Sequence, residues 1–215
     1  HKLPRVSFSL TLDNDPYTEG DKKGVAEMTS TLLGSGTAKI SKTAFNEEVD
    51  FLGANINFGS NGASASTLSK YSGRVLELMA DGALNPNFTQ AEFDKEKEKL
   101  IEGLKANEKS VSAVAKRVVD VLTYGKNHPS GEYLSEARLK NVTLEDVKSN
   151  YNTYFVPSNA YLIIVGDVKF KETKKMVEKF FGSWKKATAP SVTYNDPKDV
   201  AQTQINFIDM PNAVQ

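Results

Sequence analysis

The sequence predicts an α+β fold, a mostly antiparallel sheet packed with helices. Residues 5–13, Arg-Val-Ser-Phe-Ser-Leu-Thr-Leu-Asp, alternate apolar and polar side chains, the period of a half-buried strand. Residues 55–59 and 63–68 flank Ser60-Asn61-Gly62, and an Asn-Gly pair between alternating segments signals a β-hairpin. Helical stretches separate the strands, but one strand pair is a hairpin and the others are widely spaced. That favours an α+β layer over a doubly wound parallel sheet.

Taken in order, the first strand ends at Asn14-Asp15-Pro16, a loop signal. Val25, Met28 and Leu32 recur at helical spacing, predicting a helix over about 22–34 that Gly34-Ser35-Gly36 stops. Ser41 caps a second helix running to about Gly53, with Phe45, Val49 and Leu52 on its apolar face. After the hairpin, a third helix spans about 71–84 and closes at Asn85-Pro86. Thr89 caps a long helix from Gln90, whose 92–108 portion is densely charged with alternating sign, the mark of a solvated face laced with i,i+4 pairs. Helix resumes over 111–122 and breaks at 124–129. Thr143 with Asp146 forms a capping box opening a helix to about Phe155. The continuous apolar run 160–165 reads as a central strand by length and β-branching. A helix at about 170–181, a polar connector at 185–201 and a final strand at 204–209 complete the chain.

With 215 residues, 39% hydrophobic and 25% charged, the chain is long enough for one domain with a substantial core. Lys+Arg and Asp+Glu both number 27, and this balance argues against a general nucleic-acid binder. No apolar run approaches the length of a membrane span. Cysteine is absent, which removes disulfides, thiolate metal sites and a cysteine nucleophile together. It leaves the compartment open, the bacterial periplasm or cell envelope included. The chain starts at His1 without Met and ends at Gln215 just past a strand-like run. It reads as a single domain, 1–215, cut from a longer protein with at least one further similar domain.

The frame Gly24-Val25-Ala26, then Leu33 and Gly36-Thr37, resembles the opening of the pitrilysin/insulinase family of zinc peptidases, the inverzincins. Other segments match in order: Leu52-Gly53-Ala54, Leu84-Asn85-Pro86-Asn87-Phe88, Phe93-Asp94-Lys95-Glu96, Tyr124-Gly125 with His128-Pro129, Gly166-Asp167-Val168 and Phe181-Gly182-Ser183-Trp184. The resemblance covers essentially the whole chain. It implies a peptidase-like half-domain of the LuxS/mitochondrial-processing-peptidase-like metallohydrolase type.

Active members of that family carry His-x-x-Glu-His on a helix, with a glutamate from another helix as third zinc ligand and a water in the fourth position. Their motif glutamate takes the proton from that water as it attacks the peptide carbonyl. Here the first histidine falls on Glu27, the base on Ser30, the second histidine on Thr31 and the third ligand on Gly103. Glu96 matches a helper glutamate, and Glu102 adjoins the lost ligand. The only histidines are His1 and His128, and His128 reads as a turn residue before Pro129. Ser30 and Thr31 have no evident base to activate them as nucleophiles. Asp167 reads as a turn residue and Trp184 as helix-end packing.

The resemblance therefore implies a catalytically inactive homologue with no catalytic residue, metal ligand or cofactor of its own. Zinc is expected in an active partner subunit or domain instead. Such pairs enclose a chamber, and the non-catalytic half completes its wall and helps to bind peptide. In active relatives the substrate lies extended along an edge strand, and Asn57, Phe58, Gly59 and Ser60 match that position. The alternatives are a purely structural core-type subunit and a peptide-binding module without any peptidase partner.

Overall fold

A computed structural model describes residues 4–197 and 199–210. The order is β1 (Arg5–Leu12), α1 (Val25–Leu33), α2 (Lys42–Phe51), β2 (Asn55–Gly59), β3 (Gly62–Leu68), α3 (Ser72–Leu84), α4 (Gln90–Asn107), α5 (Val111–Tyr124), α6 (Glu136–Lys140), α7 (Leu144–Tyr154), β4 (Ala160–Gly166) and α8 (Phe170–Phe181). Short 3-10 turns at Gly20–Lys22, Ser69–Tyr71 and Pro157–Asn159 join some of them. The α+β class and the antiparallel sheet are as predicted.

The four strands run β2-β3-β1-β4, and every neighbouring pair is antiparallel. The alternation in β1 decides its faces. Val6, Phe8, Leu10 and Leu12 are buried, while Ser7, Ser9 and Thr11 lie on the other side. The same side of β3 presents Ser64 and Ser66. Helices α2, α3 and α8 contribute to the core on the inner face, with Phe45, Val75, Leu76, Leu78 and Met79 at its centre. A second core gathers Val25, Met28 and Leu32 of α1 with Phe93 of α4 and Leu139, Val142, Leu144 and Val147 around α6 and α7. Helix α1 is shared, because its Leu33 belongs to the first core.

The hairpin forms with Ser60-Asn61 as its turn, and Gly62 is already the first residue of β3. At φ +138° it occupies backbone space closed to other residues, and a Cβ there would lie 1.9 Å from the Leu10 carbonyl oxygen. The Thr143–Asp146 capping box is present in full.

Three expectations are corrected. The opening helix begins at Val25 rather than about 22, because Gly24 sits at φ +119° and interrupts it. A side chain at Gly24 would meet Leu134 Cδ1 at 2.7 Å. The apolar run predicted as a central strand is β4, an edge strand. Leu162 and Ile164 pack against the core, but Tyr161, Ile163 and Val165 are 58%, 54% and 66% exposed. An apolar run reports that both faces favour burial, and no described helix covers the outer one. The predicted strand at 204–209 pairs with nothing among the described residues, and Ile205 and Phe207 are 78% and 93% exposed. Alternation fixes which side chains share a face, not that a neighbouring strand exists. The short helix α6 carried no periodic signal and went unpredicted. His1 lies outside the described residues.

Candidate functional site

Helix α1 is held by carboxylates at its start. Its first N–H groups have no intrahelical acceptor and favour negative charge. The Glu19 carboxylate accepts from the backbone N–H of Gly24 (3.0 Å) and Ala26 (2.9 Å) and pairs with Lys23 Nζ at 2.7 Å. Glu132 in turn accepts from the N–H of Glu19 (2.9 Å) and Gly20 (2.7 Å), with its side chain 2% exposed. On the inner side Thr29 Oγ1 donates to Asn150 Oδ1 at 3.3 Å, and Asn150 Nδ2 donates to the Tyr17 hydroxyl at 2.8 Å. Burial pushes the Tyr17 phenol up to about 12.

The face of α1 away from the second core carries Glu27, Ser30 and Thr31, at i, i+3 and i+4. Ser30 Oγ donates to the Ala26 carbonyl (3.0 Å) and accepts from the Ser60 N–H (2.7 Å), so α1 abuts the end of β2. Thr31 Oγ1 donates to the Glu27 carbonyl at 3.0 Å. The Glu27 carboxylate joins no hydrogen bond or ion pair among the described residues. Partial burial is the main reason its pKa is raised above the ordinary carboxyl value, with Glu19 adding repulsion and Lys23 opposing.

Gly103 lies exposed on α4 with nothing within 4 Å of where a Cβ would be. Glu96, on the same helix, is 2.9 Å from Lys99 Nζ and 3.6 Å from Lys42 Nζ. Lys42 also bonds Glu92 at 2.9 Å, which raises the lysine and lowers the glutamate. Glu102 is exposed. Among the described residues no three of His, Cys, Asp and Glu come together as metal ligands.

That donor set does not fit zinc. Glu27, Ser30, Thr31 and Gly103, the positions the resemblance aligns with two imidazoles and two carboxylates, offer one carboxylate, two hydroxyls engaged in backbone hydrogen bonds and a glycine. The group that could have served as a helper already has ammonium partners.

The hairpin side of the site is β2, which among the described residues pairs only with β3, leaving its other edge without a strand partner there. Asn57 is exposed, Phe58 turns inward with its ring centroid 6.1 Å from that of Phe45, and a Cβ at Gly59 would lie 4.0 Å from Ser30 Oγ. His128 is far from this arrangement in role. It is buried between the Tyr124 and Tyr194 rings, at centroid distances of 5.1 Å and 4.6 Å, and its Nδ1 accepts from the Ser130 N–H. Asp167 donates its N–H to the Arg5 carbonyl, and Trp184 packs on Phe155 and Phe181.

Sequence reasoning missed Glu19, Glu132 and Lys42. Glu19 had a readable signal, an acidic residue just ahead of a helix start. Glu132 and Lys42 act on elements more than forty residues away, and nothing in the linear pattern pairs them.

The family model described as Insulinase (Peptidase family M16) matches residues 15–135, and that described as Peptidase M16 inactive domain matches 141–213. A probable mitochondrial-processing peptidase subunit beta of Arabidopsis thaliana is 20% identical over 95% of this chain and 40% of its own length. A non-peptidase homolog, YmxG, of Helicobacter pylori is 18% identical over 99% of this chain and 51% of its own. The crystal structure of a peptidase M16 inactive domain from Pseudomonas fluorescens superposes with a TM-score of 0.79 at 21% identity, covering 91% of this chain and 49% of that one. The chain thus spans about half or less of the length of these relatives. The insulinase match alone takes in more than half of the 215 residues, and the chain belongs to that family, peptidase family M16.

Proposed function

We propose that this chain is a non-catalytic peptidase-like domain of a longer protein, and that it completes a peptide-holding chamber with a related, active zinc peptidase subunit or domain. In this reading the chain binds no zinc and cleaves nothing itself. The open edge of β2, with Asn57, Phe58, Gly59 and Ser60 at its hairpin end, holds part of an extended peptide.

The observation that carries the proposal is the contrast between frame and chemistry. Helix α1 is capped, buried and set against β2 as a working helix would be, yet Ser30 spends its hydroxyl on the Ser60 amide. A general base at that position needs a free carboxylate facing a metal-bound water. The frame is retained and the reactive groups are not.

The test pairs zinc content with cleavage. The purified chain should hold far less than one zinc per molecule and should not cleave peptides with or without added zinc. A partner bearing His-x-x-Glu-His that co-purifies with it should lose activity when this chain is removed. One tightly bound zinc per chain would overturn the proposal, and a partner rate indifferent to this chain would favour a purely structural subunit.

A further inference from the structure

The two-residue turn at Ser60-Asn61 makes Gly59 and Gly62 a hydrogen-bonded pair, and the pattern alternates along the ladder. Asn55 and Asn57 therefore turn their backbone groups toward Ser66 and Ser64 of β3. Ile56 and Phe58 turn theirs to the open edge. The next group in that row, the Ser60 N–H, is taken by Ser30 Oγ at 2.7 Å. The free ladder is thus short, and it stops against the α1 face that carries Glu27, one turn before Ser30 and Thr31.

A ladder of so few bonds gives weak, sequence-blind binding, so a neighbouring charge would decide which peptide stays. Around the start of α1 stand three carboxylates, Glu19, Glu27 and Glu132, against one ammonium, Lys23. Lys23 lies at 2.7 Å from Glu19 and 3.6 Å from Glu132. Lys22 is drawn away to Asp146. Glu27 is left without an ion-pair partner among the described residues, on the face that meets the end of β2.

Resting on the reading that β2 holds peptide, we infer that this edge selects an extended segment with a basic side chain at the Ser60 end, where the Lys or Arg pairs with Glu27. Charge complementarity fixes the partner's chemistry, and the two open-edge residues fix its extended conformation.

Fluorescence anisotropy with the intact chain tests this. The probes are nine-residue, end-blocked peptides of alternating polar and apolar residues, identical except for a single Lys or Gln, and a third version N-methylated at the pairing positions. At low salt the Lys peptide should bind about two- to five-fold tighter than the Gln peptide, the range of a screened surface ion pair. Glu27→Gln should erase that difference, and N-methylation should abolish binding of both. If Lys and Gln peptides bind alike and N-methylation still abolishes binding, the charge selection is wrong and the edge-strand reading stands. If neither peptide binds, the edge-strand reading fails and this inference with it.

Discussion

Glu27 is the one acidic side chain on the outer face of α1. Partial burial and the nearby Glu19 hold its carboxyl above the ordinary value, so ionising it disfavours the folded state. Below the ordinary carboxylate range the group is protonated in folded and unfolded chains alike, and the penalty vanishes. As pH rises through that range the unfolded chain loses the proton first, and the penalty is complete above the raised folded-state pKa. Glu27→Gln should therefore stabilise the protein at pH 7, by no more than about 0.5 kcal/mol because solvent screens a group this exposed. Urea unfolding at pH 7 and near pH 3 checks it. The gain should disappear at the lower pH, and a loss at pH 7 would mean that the carboxylate makes a favourable contact. With no hydrogen-bond or ion-pair partner among the described residues, the carboxylate is held only by the helix beneath it.

At the scale of elements, the β2–β3 hairpin shows how one residue can carry a register. Gly62 begins β3 where the chain passes over β1, and any Cβ there meets the Leu10 carbonyl. Gly62→Ala should destabilise the protein by more than about 1 kcal/mol, since both positive φ and close backbone approach are violated. Amide exchange should show the loss as faster exchange in β1 and β3 together, because the two are paired along seven residues from Arg5–Leu68 to Thr11–Gly62. A neutral outcome would mean that the turn can relax away from β1. The hairpin also places the Ser60 amide beside α1, which connects a turn signal in the sequence with the geometry of the site. At the other edge, β4 presents three exposed apolar side chains with no charge or proline among residues 160–165. Edges of that kind are covered in stable proteins.

For the molecule as a whole, α1 is the joint between two cores. Leu33 packs with the sheet, while Val25, Met28 and Leu32 pack with α4, α6 and α7. Leu32 is fully buried. Leu32→Ala should cost about 2–5 kcal/mol, a large share of the total stability of a domain, and thermal unfolding measures it. The same packing explains how the frame survives without the chemistry. The residues that orient α1 are apolar contacts and backbone caps, and none of them depends on a metal.

The sequence by itself determined the class of fold, most helix positions, the hairpin, the Thr143–Asp146 cap and the missing histidines, because these rest on local periodicity, turn chemistry and residue identity. The resemblance implies that Glu27, Ser30, Thr31 and Gly103 stand at the family's metal and base positions. Only the tertiary structure decided that β4 lies at an edge, that 204–209 finds no described partner, and that Gly24 cuts the first helix short. It alone showed Ser30 holding Ser60, Glu132 supporting Glu19, and Lys42 between Glu92 and Glu96. Periodicity reports what each residue prefers to face. Which groups meet across 30 to 113 positions of chain depends on how helices and strands pack, and that information is not local.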